Sequence, residues 1–590
     1  KTGAAVVVAH TNLTDCAARE HGGVVHASGN GTHVELLDVD GSGLRAIHSG
    51  GMGYVSTGAT LVVADSVFHD LRAYSGGFVH AQGTGTLVRV TRSTVNQSYA
   101  EALGAGLHVA SRSHVHLADT AWMDLVVVCP APLVAGHHAC LGAGIYVEGG
   151  ATIDGGVNSA SNMFDGLAAE VGAGIVSYGV GNELSGLSFH NMVAIRGTGV
   201  YVLQEDLRNV SGARRLGGES IGGIDGIGGI DGIDGIDGID GKTTNLVLRH
   251  VSFENIVASS SGGIVYSVGL NSNTRMDHVR VQNVTADQGG FAHVSNGTVH
   301  VSHLQCMDVH VATHGGVGYV EAGGHLLLQD GQVDRISALL DGGALHLSGG
   351  STATVTDVVG VSYHAHERGG FAMLHGGSAL TLVRSELRQL DSGAGGFAEV
   401  HEGSTVALVD SRVLGMTARA DGGGLKLMTG SRLVGEGNAT LENCSAPGGN
   451  GGAVWMDSSN ITVQGVTIVR GSSLLGGGIF AAGTSAMLDH VHVHHSTATN
   501  GGGGVYATNA AVTVLDTSVV GGASSIGGGV CVTDQSTWTG LRFRVLASKA
   551  VRGGGVLVEK DSTMDLRESK ITGNHATEGG GFCLRDGARV

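Results

Sequence analysis

The chain has 590 residues, of which 104 are glycine and only 3 are proline, and its formal net charge is −18. Scarce proline argues against collagen-like and proline-rich disordered chains, while 42% hydrophobic and 14% charged residues indicate a folded protein. The negative charge, with lysine and arginine scattered, argues against nucleic acid as a partner. No apolar run reaches the roughly 20 residues that span a bilayer, so we expect no direct membrane insertion.

Residues 1–205 carry a loose repeat marked by glycine. Between the marks, short apolar runs alternate with period two, which is typical of β-strands. The longest step between marks contains Cys129 and Cys140, which could form a local disulfide in an oxidising compartment. The marks are Gly22, Gly50, Gly76, Gly104, Gly142, Gly172 and Gly197.

Residues 206–244 interrupt the repeat with a low-complexity run of Gly-Ile-Asp triplets. The run has glycine at every third position but no proline, so it does not predict a collagen triple helix. It is interpreted as a loop extruded from one rung of a continuous solenoid. The alternative is that it separates two β-helical blocks.

Residues 245–590 carry a regular repeat, in which two or three glycines precede an apolar pair every 25 to 29 residues. A fixed period in the twenties with strand patterning predicts an all-β fold, a single-stranded right-handed parallel β-helix solenoid of about 20 rungs of about 26 residues. Each of three strands per rung should pair with its equivalent in the next rung at ~4.8 Å, giving a rod of roughly 95 Å. The marks are Gly262, Gly289, Gly315, Gly342, Gly369, Gly395, Gly422, Gly451, Gly476, Gly502, Gly527, Gly553 and Gly579.

The glycines have a predicted mechanical role at stacked corners. A side chain there would either collide with the next rung or require a positive φ, and glycine avoids both. A second column of charged residues follows the Leu/Val strands and predicts turns that cap backbone amides, with a cation bound between stacked aspartates as the alternative. Its members are Asp65, Asp119, Asp357, Asp410, Asp489 and Asp516, with Arg92, Arg384 and Arg567 in the same place elsewhere.

Nine asparagines lie in Asn-x-Ser/Thr sequons, more than composition alone would produce. They predict N-glycosylation of an extracellular or cell-surface protein. The alternative is that asparagine and threonine both favour β-turns, which raises the number of sequons. The asparagines are Asn12, Asn30, Asn96, Asn209, Asn283, Asn296, Asn438, Asn443 and Asn460.

The glycine motif carries a family resemblance. Gly451-Gly452-Ala453-Val454 and Gly476-Gly477-Gly478-Ile479 resemble the Gly-Gly-Ala-Ile repeats of chlamydial polymorphic outer-membrane proteins and of related protist and algal surface proteins. That family's second motif, Phe-x-x-Asn, is mostly degenerate here, with Ile571-Thr572-Gly573-Asn574 the nearest match. The resemblance implies a right-handed parallel β-helix of the pectin-lyase-like kind and a surface or extracellular setting.

Some β-helices of this kind are enzymes that degrade pectin. The Asn-Thr-Asp tripeptide and the Asp-Asp dipeptide of one such enzyme class do not occur in this sequence. Asp277-His278 and Asp489-His490 are similar to an Asp-His pair of pectate lyases, but the matching neighbours are missing. His490, His492 and His494 alternate on one predicted strand and could bind zinc or be solvated. The sequence therefore predicts no enzyme, no catalytic or metal-binding residue and no cofactor.

Both ends of the sequence fall part-way through a rung, which predicts that the solenoid is truncated and continues into more chain or another subunit. The functional hypothesis is a non-catalytic structural protein of an extracellular filament or surface appendage, such as a flagellar hair. Its partners would be itself or related β-helical subunits, with bound or covalent glycans. The alternatives are an adhesin that binds glycans or cell surfaces, and a polysaccharide lyase or hydrolase.

Overall fold

A computed structural model describes residues 3–128, 141–155, 162–203, 245–269, 272–457 and 460–590. The chain divides into two compact units, Lys1–Gln305 and Cys306–Val590. In the described ranges the strands pair in parallel and no helix is present, which confirms the predicted all-β fold. The chain is a parallel β-solenoid of about 19 turns, with a spacing of about 27 residues, as expected of a right-handed parallel β-helix. The predicted insertion at 206–244 and the Cys129–Cys140 pair lie outside the described residues.

A short strand follows each glycine mark, and we call it the collar strand. In the first unit the collar strands are Val25–Ser28, Gly53–Ser56, Val79–Gln82, Leu107–Ala110, Ile145–Glu148, Ile175–Tyr178, Val200–Leu203, Val265–Val268 and Ala292–Ser295. In the second unit they are Gly318–Glu321, Leu345–Leu347, Ala372–Leu374, Ala398–Val400, Leu425–Met428, Val454–Asp457, Ile479–Ala482, Val505–Thr508, Val530–Thr533, Val556–Val558 and Phe582–Leu584.

The rest of each turn consists of what we call body strands. In the first unit they are Ala5–Thr14, Ala17–Ala18, His33–Ala46, Thr60–Ala64, Val67–Ser75, Leu87–Thr91, Thr94–Leu103, His114–Ala118, Thr120–Val127, Thr152–Asp154, Asn162–Asp165, Asn182–Ala194, Asn245–Ala258 and Asn273–Ala286. Thr298–Val311 contains the boundary between the units.

The second unit has a larger number of shorter body strands. They are His325–Ala338, Thr352–Ala365, Ala379–Val383, Glu386–Ser392, Thr405–Val409, Arg412–Ala418, Arg432–Glu436, Thr440–Ala446, Ile461–Gln464, Thr467–Val469, Ser472–Leu475, Ser485–Asp489, His492–His494, Thr497–Gly501, Ala511–Leu515, Ser518–Val520, Thr537–Leu541, Arg544–Leu546, Lys549–Arg552, Thr563–Arg567, Lys570–Thr572 and His575–Glu578.

The glycine corners behave as predicted, and adjacent glycines meet different demands. Gly395 adopts φ = 62°, in the left-handed region that residues with a Cβ avoid. Gly396 needs no unusual φ, but a Cβ on it would lie 2.1 Å from the carbonyl oxygen of Gly423 in the next turn. Both constraints follow from stacking one corner directly on the next.

Single residues with positive φ bend the body strands at two further corners. In Asn245–Ala258 these residues are His250, at φ = 52°, and Asn255, at φ = 57°. We call the columns of residues at these two places the first and the second corner. The first corner includes Asp65, Arg92, Asp119, His250, His278 and His303 in the first unit, and Asp357, Arg384, Asp410, His490, Asp516, Arg542 and Glu568 in the second. The sequence suggests several separate short strands in each turn. In the structure these are often one continuous strand that bends at two single residues.

The core is mainly aliphatic, as the composition predicts, but the first unit adds an aromatic stack. Trp122, Phe164, Phe189 and Phe253 occupy the same place on successive described turns and are fully buried. Their ring centroids lie 5.2, 5.1 and 5.5 Å apart, with nearly parallel planes. The few aromatic residues are therefore concentrated where stacking adds to burial.

The outer face of the collar strands is also buried, which strand alternation alone does not predict. Tyr146, Tyr201 and Tyr266 point away from the central core, yet they are at most 7% exposed. They pack with Leu141 and Val176 in a separate cluster, against which Leu103 and Val171 also lie. The residues just before the glycines thus cover this face and form a second apolar layer.

Candidate functional site

Charged side chains at the first corner pair between turns. Arg92 donates two hydrogen bonds to Asp65, from Nε at 2.6 Å and from Nη2 at 2.7 Å. Arg384 does the same to Asp357, at 2.8 and 2.5 Å. The hydrogen bonds from arginine lower the pKa of both aspartates. The surface at these places is a set of bidentate ion pairs.

Capping of backbone amides at this corner falls mainly to buried hydroxyls, which corrects the interpretation of the aspartate column. The Ser66 Oγ accepts from the Val39 amide at 3.0 Å, and the Ser385 Oγ accepts from the Val358 amide at 3.1 Å. Asp410 does follow the prediction, because its Oδ1 accepts from the Asn438 amide at 3.1 Å. The serine directly after the corner residue was the sequence signal for these caps.

Two members of the predicted column lie one residue before the corner. His490 and Glu568 have the positive φ, at 51° in each case, where the sequence suggested Asp489 and Arg567. The error arises because the column was assigned from charged residues that follow a Leu/Val strand, whereas the true corners His490, Asp516, Arg542 and Glu568 recur every 26 residues. Asp489 still contacts this corner, with its Oδ1 2.6 Å from His490 Nδ1.

Two turns of the first unit bring imidazole and carboxylate groups together, and we call this group the Asp277 cluster. It contains Asp277, His278 and His303. His303 Nδ1 lies 2.9 Å from Asp277 Oδ1, and His278 Nδ1 lies 3.1 Å from Asp277 Oδ2. One donor atom from each residue lies within 4.8 Å of the other two. Asp277 is 29% exposed and both histidines are about half exposed, so solvent reaches the group.

Ring stacking and a hydroxyl fix the Asp277 cluster. His278 stacks on His303 with ring centroids 4.3 Å apart, and the tilted ring of His250 lies 4.7 Å from His278 on the other side. Both distances are close to the ~4.8 Å spacing of strands. The Ser302 Oγ donates to Asp277 Oδ1 at 2.8 Å. Burial favours a higher pKa for Asp277, but hydrogen bonds from His303, Ser302 and His278 together hold it well below its usual value.

The sequence identified Asp277-His278 but missed His303. The signal was present, because His303 follows His278 by 25 residues and both occupy the first corner. Ser302-His303 therefore aligns with Asp277-His278 once the repeat is placed in register. Local motif searches do not find partners that are one turn apart.

The three histidines near residue 490 do not form the predicted single row. His492 and His494 project from the strand His492–His494, and their ring centroids lie 6.4 Å apart. His490 lies at the corner instead, with a different orientation of the backbone. Burial, then the neighbouring histidines, lowers the pKa of His492 and of His494.

Of the eight sequon asparagines that the structure describes, seven are exposed and Asn96 is the exception. Asn96 is half-buried, its Oδ1 is buried, and Ser98 of its sequon is fully buried. Asn209 lies outside the described residues. The exposed asparagines are Asn12, Asn30, Asn283, Asn296, Asn438, Asn443 and Asn460.

The described cysteines are all free thiols. Cys531 and Cys583 both pair in register with Leu557, from opposite sides, so they lie two strands apart. Cys306, Cys444 and Cys531 are buried, whereas Cys16 and Cys583 are partly exposed. Burial raises the pKa of Cys306 to about 12 and raises those of Cys444 and Cys531 further.

In the second unit, the outer face of the collar strand Leu345–Leu347 carries the buried ionisable residue His346. His346 packs on Tyr319, with centroids 5.0 Å apart, and on His314, at 4.7 Å. Burial lowers the pKa of His346 to about 3, and the neighbouring His314, His375 and Arg368 add to this. These groups belong to the packing between turns, since they are screened from solvent.

No protein-family model matches this sequence, and no curated protein matches it either. Among the residues that the structure describes, no helix has the length and apolar character needed to cross a membrane.

Proposed function

We propose that this chain is a non-catalytic structural protein of an extracellular filament or surface appendage. The observation that supports this most directly is the use of its recurrent residues. In both units the same left-handed glycine, the same two left-handed corners and the same buried hydroxyls recur, and each supports the stacking of one turn on the next. We expect recurrent residues to serve the stacking of turns in a protein whose role is structural.

Two further features fit the proposal. Seven sequon asparagines are exposed, which is where glycans on an extracellular protein would be attached. The glycine motifs resemble those of chlamydial polymorphic outer-membrane proteins and of algal and protist surface proteins, which are pectin-lyase-like β-helices. Lateral or end-to-end contacts with copies or related subunits would then build the assembly.

Electron microscopy of native material tests the proposal. We expect filaments or ordered arrays that antibodies against this chain decorate along their length. Isolated particles, with the chain bound instead to glycans or cell surfaces, would favour the adhesin alternative. Release of unsaturated or free uronate from pectin by the purified chain would overturn the non-catalytic assignment. Treatment with an N-glycosidase should lower the mass of the native protein if the sequons are used.

A further inference from the structure

The Asp277 cluster has the donor set of a metal site. Imidazole nitrogens and a carboxylate oxygen suit Zn²⁺ and Cu²⁺, whereas Ca²⁺ and Mg²⁺ prefer oxygen donors alone. A tetrahedral Zn²⁺ with bonds of about 2.0–2.1 Å holds its donor atoms roughly 3.3 Å apart. His303 Nδ1 lies 2.9 Å from Asp277 Oδ1 and His278 Nδ1 lies 3.1 Å from Asp277 Oδ2, so each nitrogen is near that distance from a different oxygen of the carboxylate.

The backbone prepares this arrangement. His278 and His303 both have φ = 53°, so the corner directs both imidazoles to the same side on adjacent turns. Their stacked rings hold the two Nδ1 atoms toward one carboxylate. The hydrogen bond from Ser302 fixes the orientation of that carboxylate, which is the usual role of an outer-shell partner in metal sites.

Within the described ranges, the ionisable groups that contact the Asp277 carboxylate are His278 and His303. Arg249 precedes Asp277 by one turn in the same register, but its guanidinium pairs with Glu183. Elsewhere at the first corner an arginine takes the carboxylate in a bidentate pair, as Arg92 does for Asp65. In the ranges that the structure describes, the Asp277 cluster alone brings three such donors within 4.8 Å of one another.

We propose that Asp277, His278 and His303 bind a divalent transition-metal ion of the zinc and copper class at the surface of the first unit. Water completes the coordination, because both histidines are about half exposed. The proposal is independent of the filament function, since it rests on three side chains of this chain alone.

Cu²⁺ and Zn²⁺ added to the metal-stripped full chain test the site. We expect one tight Cu²⁺ whose electron paramagnetic resonance spectrum shows two nitrogen donors, and one tight Zn²⁺ by calorimetry. His278→Asn with His303→Asn should abolish both, and asparagine suits the left-handed corner, so the fold should persist. Ser302→Ala should weaken Zn²⁺ binding by about 10-fold or more, as loss of an outer-shell partner does.

A matched control is built into the second unit. Asp489-His490 repeats the Asp-His dipeptide at the same corner, but Asp516 on the next turn is held by Arg542 through bonds of 2.6 Å. His490→Asn should therefore leave the tight site unchanged. Equal binding by wild type and the double variant, or equal loss on His490→Asn, would overturn the proposal. Tight Ca²⁺ or Mg²⁺ binding that the double variant abolishes would also contradict the proposed metal class.

Discussion

At the scale of single residues, two neighbouring glycines limit the chain for separate reasons. The first glycine of each pair has a positive φ, and the second lies against the carbonyl oxygen of the next turn. Substitution of either is therefore costly, but by different routes. The distinction matters because only substitution of the second glycine measures how tightly one turn stacks on the next.

Gly396→Ala should destabilise the second unit by about 3 kcal/mol, because its Cβ would overlap the Gly423 carbonyl oxygen and the stacked backbone would have to shift. Gly377→Ala is the matched control, since Gly377 has φ = 73° and open space around a Cβ. It should lose only about 1–2 kcal/mol from the left-handed conformation. Urea unfolding measures both, and equal losses would contradict the stacking explanation.

Cysteine reactivity should follow burial. Cys16 and Cys583 are partly exposed, so iodoacetamide should label them in the native protein. Cys306, Cys444 and Cys531 should react only after unfolding, because burial raises their pKa values and blocks access. Peptide mass spectrometry before and after addition of denaturant gives the modified positions. Rapid native labelling of Cys444 would contradict its burial in the core.

At the scale of elements, ion pairs of the same geometry differ in their surroundings. Arg368 donates to Asp341 at 2.8 and 2.7 Å, and the Asp341 side chain is 3% exposed. Arg384 donates to Asp357 in the same bidentate way, but both side chains are exposed to solvent. Their hydrogen-bond geometry alone would suggest equal contributions to stability. The burial of Asp341 predicts a larger contribution from the Arg368–Asp341 pair.

Arg368→Ala should destabilise the second unit by roughly 2 kcal/mol, less than the ~3–5 kcal/mol of a fully buried pair because Arg368 itself is partly exposed. The loss arises because the Asp341 carboxylate stays buried without its main partner. Arg384→Ala should leave the urea midpoint almost unchanged, since exposed pairs contribute little. If the two variants lost the same stability, burial of Asp341 would not be the deciding factor.

The sequence predicts a residue's place correctly where the local backbone conformation alone limits the residue type. Gly395 and Gly396 could be predicted because a left-handed φ and a close backbone contact both select glycine. The first corner was found at Asp65, Asp357 and Asp516, but missed at His250 and His303, because histidine has no strong signature there. Contacts between turns, such as Asp277 with His303, join residues about one repeat apart and need the register of each turn.

The second apolar layer could not be predicted from the sequence for a similar reason. Strand alternation places Tyr201 and Tyr266 on the outer face, where sequence patterning suggests solvent. The residues before the glycines cover them, and their path depends on how each turn closes. On the outer face of the collar strands in the second unit the buried residues include the ionisable His346, so burial there affects how stability depends on pH.

At the scale of the whole molecule, burial of neutral histidine makes stability depend on pH. The pKa of His346 is about 3 in the folded chain and near 6.5 when unfolded, so the unfolded chain binds the extra proton first as pH falls. The contribution is complete above pH 6.5 and should decline by about 1.4 kcal/mol per pH unit between pH 6.5 and 3. His346→Met should remove this slope, because methionine fills the site without titrating. Urea midpoints followed by tryptophan fluorescence from pH 7 to 4 give the slope, with exposed His325→Met as the control. An unchanged slope in His346→Met, or an equal change in the control, would mean that other groups govern the acid sensitivity of the solenoid.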